Sequence, residues 1–200
     1  MNESKSQKRG REIFHRYKSA MVLVSKFYSA LPISVRKKLL EKHRNMRGKL
    51  GYAVRYCLLK SVAQNCGDNV SIAPGVYLFN AQNLRIGNNV SIHPMCYVEC
   101  GPFKDSYIQI DDDVSIAHGT TLICTSHTYR SDETDIIKDM PVKYEPVHVC
   151  NNVWIAAKCS ILCGVTVASG CVIGANTVVT KSTEPNGIYV GSPARRIKER

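Results

Sequence analysis

Long apolar runs are missing from this 200-residue chain. The run Ala20 to Val24 falls far short of the roughly 20 residues that a helix needs to cross a bilayer. The first dozen positions are polar and lack the apolar core of a secretory leader, so the expected compartment is the cytoplasm. Acidic side chains are scarce at the start: residues 1–60 carry three, against sixteen Lys and Arg. Residues 61–200 reverse the balance, with thirteen acids and eleven bases, so the formal charge of +11 belongs to the N-terminal segment. A nucleic-acid-binding domain would spread its positive patch over the folded body, and no nucleic-acid partner is expected. Nine cysteines without a leader indicate free thiols in a reducing compartment.

The basic segment, residues 1–64, reads as short amphipathic helices. Ile13, Phe14, Tyr17, Met21, Val24, Tyr28 and Leu31 recur at three- and four-residue steps on one stripe. Pro32 should end that helix, and Ser34 is a candidate N-cap for a second one through Val35, Leu39 and Leu40. After Gly48 a third run puts Leu50, Val54, Cys57 and Leu58 on one side.

From about residue 70 the period becomes six. Aliphatic leads stand at Ile72, Ile86, Ile92, Ile110, Ile116 and Leu122, then at Val149, Ile155, Ile161, Val167, Ile173 and Val179. Four positions after each comes a small residue: Val76, Val90, Cys96, Val114, Thr120, Ser126, Val153, Cys159, Val165, Cys171, Thr177 and Thr183. The physical reading is a parallel β-helix in which each hexad makes one flat face plus a corner. Leads point inward, small partners fill the tight space near each corner, and irregular chain must leave at corners. The register slips near Gly101–Tyr107 and again after Ser126, so a longer loop is expected over residues 127–147, with His127 at its base. The C-x3-C spacings Cys96/Cys100 and Cys159/Cys163 could suggest zinc, but the repeat already assigns Cys96, Cys159 and Cys171 to core slots. Gly87 and Gly174 follow leads and read as corner glycines.

Four motifs in order, TSHTY at 125–129, NNVWIAAKCSILCGVTV at 151–167, VIGANTVVTK at 172–181 and YVGSPARRIKER at 189–200, give residues 65–200 a specific likeness. The chain resembles the left-handed β-helix (hexapeptide-repeat) acyltransferases, in the branch of the maltose and galactoside O-acetyltransferases and of the sugar acetyltransferases of surface-polysaccharide synthesis. The resemblance implies an all-β main domain, a homotrimer with active sites between β-helices, and direct attack of an acceptor hydroxyl on acetyl-CoA. No metal is required, and a basic C-terminal tail closes the domain.

The same resemblance makes His127 the general base. Imidazole suits the task because its unperturbed pKa of about 6.5 leaves it neutral yet basic at pH 7. Asp105 matches an acceptor-binding aspartate of the galactoside branch. Tyr97 stands where that branch has an asparagine, and nearby Glu99 is an alternative acceptor contact. His93, His118 and His148 are expected to be structural or to line the site. For coenzyme A, Trp154 would flank the tunnel between subunits, main-chain groups near Ala157 and Ala175 would bind pantetheine, and Thr180 and Lys181 would run along the adenine end. Arg195, Arg196 and Lys198 would meet phosphates, Lys198 standing where the branch has a second arginine, so it keeps the charge but not the bidentate geometry.

Rival acceptors are a small free sugar, a nucleotide-linked amino sugar or an antibiotic. A metal-dependent carbonic anhydrase on the same scaffold would need an H-x4-H pair, which this sequence lacks. A non-catalytic scaffold would not require His127. The basic helices could cap the first coil, or dock on an anionic membrane, where each near-surface Lys or Arg contributes about 1 kcal/mol.

Overall fold

The computed structural model describes residues 3–128 and 137–200. Three helices come first, α1 (Glu3–Ser29), α2 (Ile33–Lys42) and α3 (Gly48–Val62), and a β-solenoid interrupted by one hairpin-bearing excursion follows. The strands stack into three parallel sheets, one per face of a prism. The first holds Asn65–Cys66, Leu84–Ile86, Ile108–Ile110, Val147–Val149 and Thr166–Val167. The second runs Ser71–Ile72, Ser91–Ile92, Ser115–Ile116, Trp154–Ile155, Val172–Ile173 and Gly187–Val190, and the third runs Tyr77–Phe79, Tyr97–Glu99, Thr121–Ile123, Ser160–Ile161 and Val178–Val179.

The hexad lead is the inward residue of each strand, and all twelve named leads are at most 1% exposed. Truncating one, as in Ile161→Ala, would cost about 2–5 kcal/mol in transfer and cavity terms. Ten of the twelve small partners are also buried, but Ser126 is exposed and Thr183 only half-buried. The solenoid register therefore stops earlier than the repeat suggests. Cys124, fully buried, is the last residue in the coil, and Ser126 already belongs to a hairpin.

The corners explain the Asn, Asp and Gly content. Three positions after a lead the chain turns with positive φ, as at Asn89 (56°), Asp113 (59°), Asn152 (57°), Gly164 (78°) and Asn176 (57°). Asn and Asp tolerate this left-handed conformation better than bulky residues do. They also stack: Asn69 Nδ2 donates to Asn89 Oδ1, and Asn89 Nδ2 to Asp113 Oδ1, each at 3.0 Å. Gly87 is a corner glycine for a different reason, close approach. A Cβ there would lie 2.8 Å from the Asp111 carbonyl carbon.

Coils four and five pair at an eighteen-residue step, His148 with Thr166. Earlier steps are longer. Coils one and two are 20 residues apart, with a short 3-10 turn (Ala81–Asn83) taking up the extra length, while coils two and three are 24 apart because of the loop near Gly101–Tyr107. Buried Asn83 anchors that loop by donating to Gly101 O (2.8 Å) and Phe103 O (2.9 Å). Coils three and four are 39 apart, and the excursion between them carries His127. Tyr129 and residues 130–136 of that expected loop lie outside the described residues. The expected C-terminal tail is a strand instead: Arg195–Glu199 pairs antiparallel with Gly187–Val190 and extends the second sheet.

The helices cap the open N-terminal end. α3 lies against the first coil and buries Tyr56, Leu58, Leu59 and Val62, while α1 and α2 pack on α3. The expected stripes are corrected in part. In α1, Phe14 is buried and Met21 and Tyr28 are half-buried, but Tyr17 and Val24 face out; Leu50 of α3 is 65% exposed. Ser34 is not the N-cap, because Pro32 holds that position with no side-chain cap. One buried cation ties the cap together: Arg55, 1% exposed, donates to Ile72 O (2.8 Å) and Met46 O (2.5 Å).

Candidate active site

The chain leaves the third sheet after Cys124 and makes a short antiparallel hairpin, Thr125–His127 against Val142–Tyr144, with His127 opposite Val142. Cys124 N donates to Glu99 O (3.0 Å) on one side, and Glu145 N donates to Cys124 O (3.0 Å) where the chain returns. Both hairpin arms are thus bolted to the coil at one residue. Thr128 N donates to Pro141 O (3.0 Å), which holds the strand just beyond the histidine.

His127 Nδ1 lies 3.3 Å from Met140 O. A carbonyl oxygen only accepts, so this contact places the proton on Nδ1 and leaves the Nε2 lone pair free in the neutral ring. His127 and Thr128 border a cleft of about 430 Å³, floored by Ile123, Leu162 and Thr180 from successive coils. Lys143 and Glu145, an ion pair at 2.8 Å, and Cys163 form its other wall.

Glu99 meets the histidine's strand directly, because Thr125 Oγ1 donates to Glu99 Oε1 at 3.0 Å. Tyr97 stacks on Tyr77 with centroids 5.1 Å apart, and burial together with Glu99 pushes its phenol above the usual value. Asp105 sits exposed on the Gly101–Tyr107 loop, and none of Asp105, Glu99 and Tyr97 lines the cleft itself. The loop itself touches the hairpin through an edge-on contact of Phe103 with Tyr144 (5.4 Å).

The residues expected along coenzyme A spread over other faces. Trp154 is 54% exposed on the second sheet, between Ser115 and Val172. Ala157 and Ala175 stack at the corner between the second and third sheets, where Asn176 N donates to Ala157 O (3.0 Å). Thr180 lines the His127 cleft, and Lys181 is exposed beside it. Arg195, Arg196 and Lys198 all lie on the final strand. Arg196 is engaged with Glu184 at 3.3 Å, while Arg195 Nη1 donates to Ala194 O (2.9 Å). His93 and His118 are exposed at coil turns, and His148 pairs with Asp111 at 2.8 Å on the first sheet.

Lys143 and Glu145 were not foreseen from the sequence. They reach the cleft through a pairing that closes across the excursion, which leaves no local signal. Ile123 and Leu162 did carry one, since each directly follows a lead and so points out of the coil.

A hexad β-helix whose longest excursion presents a histidine beside a cleft defines a class of hexapeptide-repeat transferases. Residues 146–181 match the family described as bacterial transferase hexapeptide (six repeats). The galactoside O-acetyltransferase of Escherichia coli (strain K12) is 32% identical over 145 residues, which are 72% of this chain and 68% of that protein. A solved galactoside acetyltransferase in complex with coenzyme A superposes with a TM-score of 0.71 at 30% identity, over 82% of this chain and 78% of that one. A maltose O-acetyltransferase from Clostridium difficile 630 gives 0.68 at 26%, over 83% and 84%. The chain belongs to the hexapeptide-repeat acyltransferase family, in the branch of the galactoside and maltose O-acetyltransferases, and its solenoid is the left-handed β-helix of that family.

Proposed function

We propose that the enzyme transfers an acetyl group from acetyl-CoA to a sugar hydroxyl in the synthesis of a surface polysaccharide, in the cytoplasm, with His127 as general base. The observation that supports this reading is His127 at the wall of the cleft, its Nδ1 donating to Met140 O so that Nε2 carries the ring's lone pair. An acceptor hydroxyl oxygen attacks the thioester carbonyl carbon while Nε2 takes its proton. The tetrahedral centre then collapses, the C–S bond breaks, and the leaving thiolate receives that proton as coenzyme A thiol. A base so placed contributes about 10²–10⁴-fold. Glu99, held by Thr125, is favoured over Asp105 as the acceptor contact, with Tyr97 beside it.

A homotrimer supports the donor side. His127 stands on the hairpin that follows the third sheet's central strand and Trp154 stands exposed on the second sheet, so a coenzyme A that used both would lie between neighbouring copies. Ala157, Ala175, Thr180 and Lys181 would follow the pantetheine and adenine, and Arg195, Arg196 and Lys198 the phosphates.

No helix among the described residues is long and apolar enough to cross a membrane. Peripheral contact is a separate proposal, supported by Leu23 (70% exposed) and Phe27 (72%) on the outer face of α1, within a segment dense in Lys and Arg. Anionic vesicles should co-sediment the protein at low salt, and equal failure with anionic and neutral vesicles would end that proposal.

The decisive experiment incubates labelled acetyl-CoA with free sugars, nucleotide-linked sugars and lipid-linked glycans, and follows transfer by mass spectrometry. A folded His127→Ala variant should be slower by about 10²–10⁴. Equal rates would remove the base assignment.

A further inference from the structure

Away from the cleft, on the outward side of the first sheet, three metal-ligating side chains converge from two coils. His148 Nε2 lies 2.8 Å from Asp111 Oδ2, and Cys150 Sγ lies 3.9 Å from both ring nitrogens of His148. The three donor atoms are all within 4.8 Å of one another, and each residue is half-buried. Around a tetrahedral zinc ion, the bond lengths set donor–donor separations of about 3.3–3.6 Å. The His148 separations of 2.8 and 3.9 Å bracket that range, so rotation of the imidazole and side-chain shifts of up to about 1 Å would complete the set. Gln109 Nε2 donates to Asp111 Oδ1 (2.9 Å), the kind of outer contact that orients a ligating carboxylate.

We propose that Asp111, His148 and Cys150 bind one zinc-class divalent cation, with water as the fourth ligand, and that this ion clamps coil three to coil four. A mixed nitrogen, sulfur and oxygen set suits a borderline cation such as Zn(II) better than Mg(II) or Ca(II). The position gives the clamp a purpose. Asp111 directly follows the third coil's first-sheet strand, and His148 and Cys150 lie on and just after the fourth coil's, the two coils joined by the 39-residue step that carries the His127 hairpin. A crosslink there fixes the base of the solenoid's largest interruption.

The test uses the full chain, stripped of metal by a chelator and given one equivalent of Zn(II). Alkylation of Cys150, mapped by peptide mass spectrometry, should slow at least about tenfold. Cys163, half-buried but outside the cluster, should keep its rate within about twofold. Co(II) should give a thiolate charge-transfer band that disappears in Cys150→Ser and His148→Gln. An unchanged Cys150 alkylation rate, or a band that survives in Cys150→Ser, would overturn the proposal. The alkylation arm needs no variant, so a misfolding substitution cannot mask the outcome. Neither arm reads acetyl transfer, so the result stands apart from the proposed activity.

Discussion

Arg55→Met offers a test of how the helices are held. Methionine keeps most of the apolar stem but removes the guanidinium. Two short, charge-assisted bonds are lost, to Ile72 O (2.8 Å) and Met46 O (2.5 Å), along with longer contacts to His43 O (3.2 Å) and Arg44 O (3.4 Å). Each short bond to a charged donor contributes about 1.5–3 kcal/mol, and a buried carbonyl left alone costs about 1–3. Against this, the variant no longer buries a cation, one of whose nitrogens, Nη2, has no hydrogen-bond partner among the described residues. The net expectation is a local loss of about 3 kcal/mol. Because a solenoid's stability is nearly a sum over neighbouring units, the loss should stay near the cap. Hydrogen exchange followed by mass spectrometry would see amides of α2, α3 and the first coil exchange roughly a hundredfold faster, while those of coils four and five hold their rates. A change below about 1 kcal/mol at the cap, or equal loosening of coils four and five, would refute the reasoning.

Further outcomes follow from the site and the core. Gly164→Ala forces a Cβ into a turn with φ of 78°, 2.3 Å from Glu145 Oε2. Thermal melts should show a loss of about 1 kcal/mol or more, and the Lys143–Glu145 pair should open in the variant's structure. Arg195→Ala should raise the KM for acetyl-CoA several-fold with kcat kept; Arg196→Ala should do less, since Glu184 already engages that side chain. Burial pushes the thiols of Cys66, Cys100 and Cys124 up to about 12. Their contribution is therefore complete below the unfolded value of about 8.5 and is lost as pH rises through about 12, because the unfolded chain ionises first. Melting temperature should fall across pH 9–11, less steeply in Cys100→Ala, and identical slopes would contradict the assignment.

Much of the fold was legible because a solenoid repeats its own local chemistry. Ile155, Ile161 and Val167 are inward for the same reason, and the period of six states it again and again. His127 was legible as a break in that period, with TSHTY around it. Where the repeat fell silent, so did the reading. Ser126 fitted the small-residue pattern, yet it lies in a hairpin, because a backbone partner at Lys143 outweighs a slot in the coil. The stripe of α1 could not reveal which face α3 would cover, since Phe14 and Tyr17 both fit the stripe and only Phe14 is buried.

Sequence alone determined the period, the inward residues, the acyltransferase likeness and the histidine. Tertiary structure decided the contact of that histidine with Met140, the bond between Thr125 and Glu99, the Lys143–Glu145 wall and the meeting of Asp111 with His148 and Cys150. The division has one physical cause. A six-residue period is written in neighbouring side chains, whereas His127 and Met140, Thr125 and Glu99, and Asp111 and His148 are 13, 26 and 37 positions apart, and only the folded coils and hairpin bring them within reach.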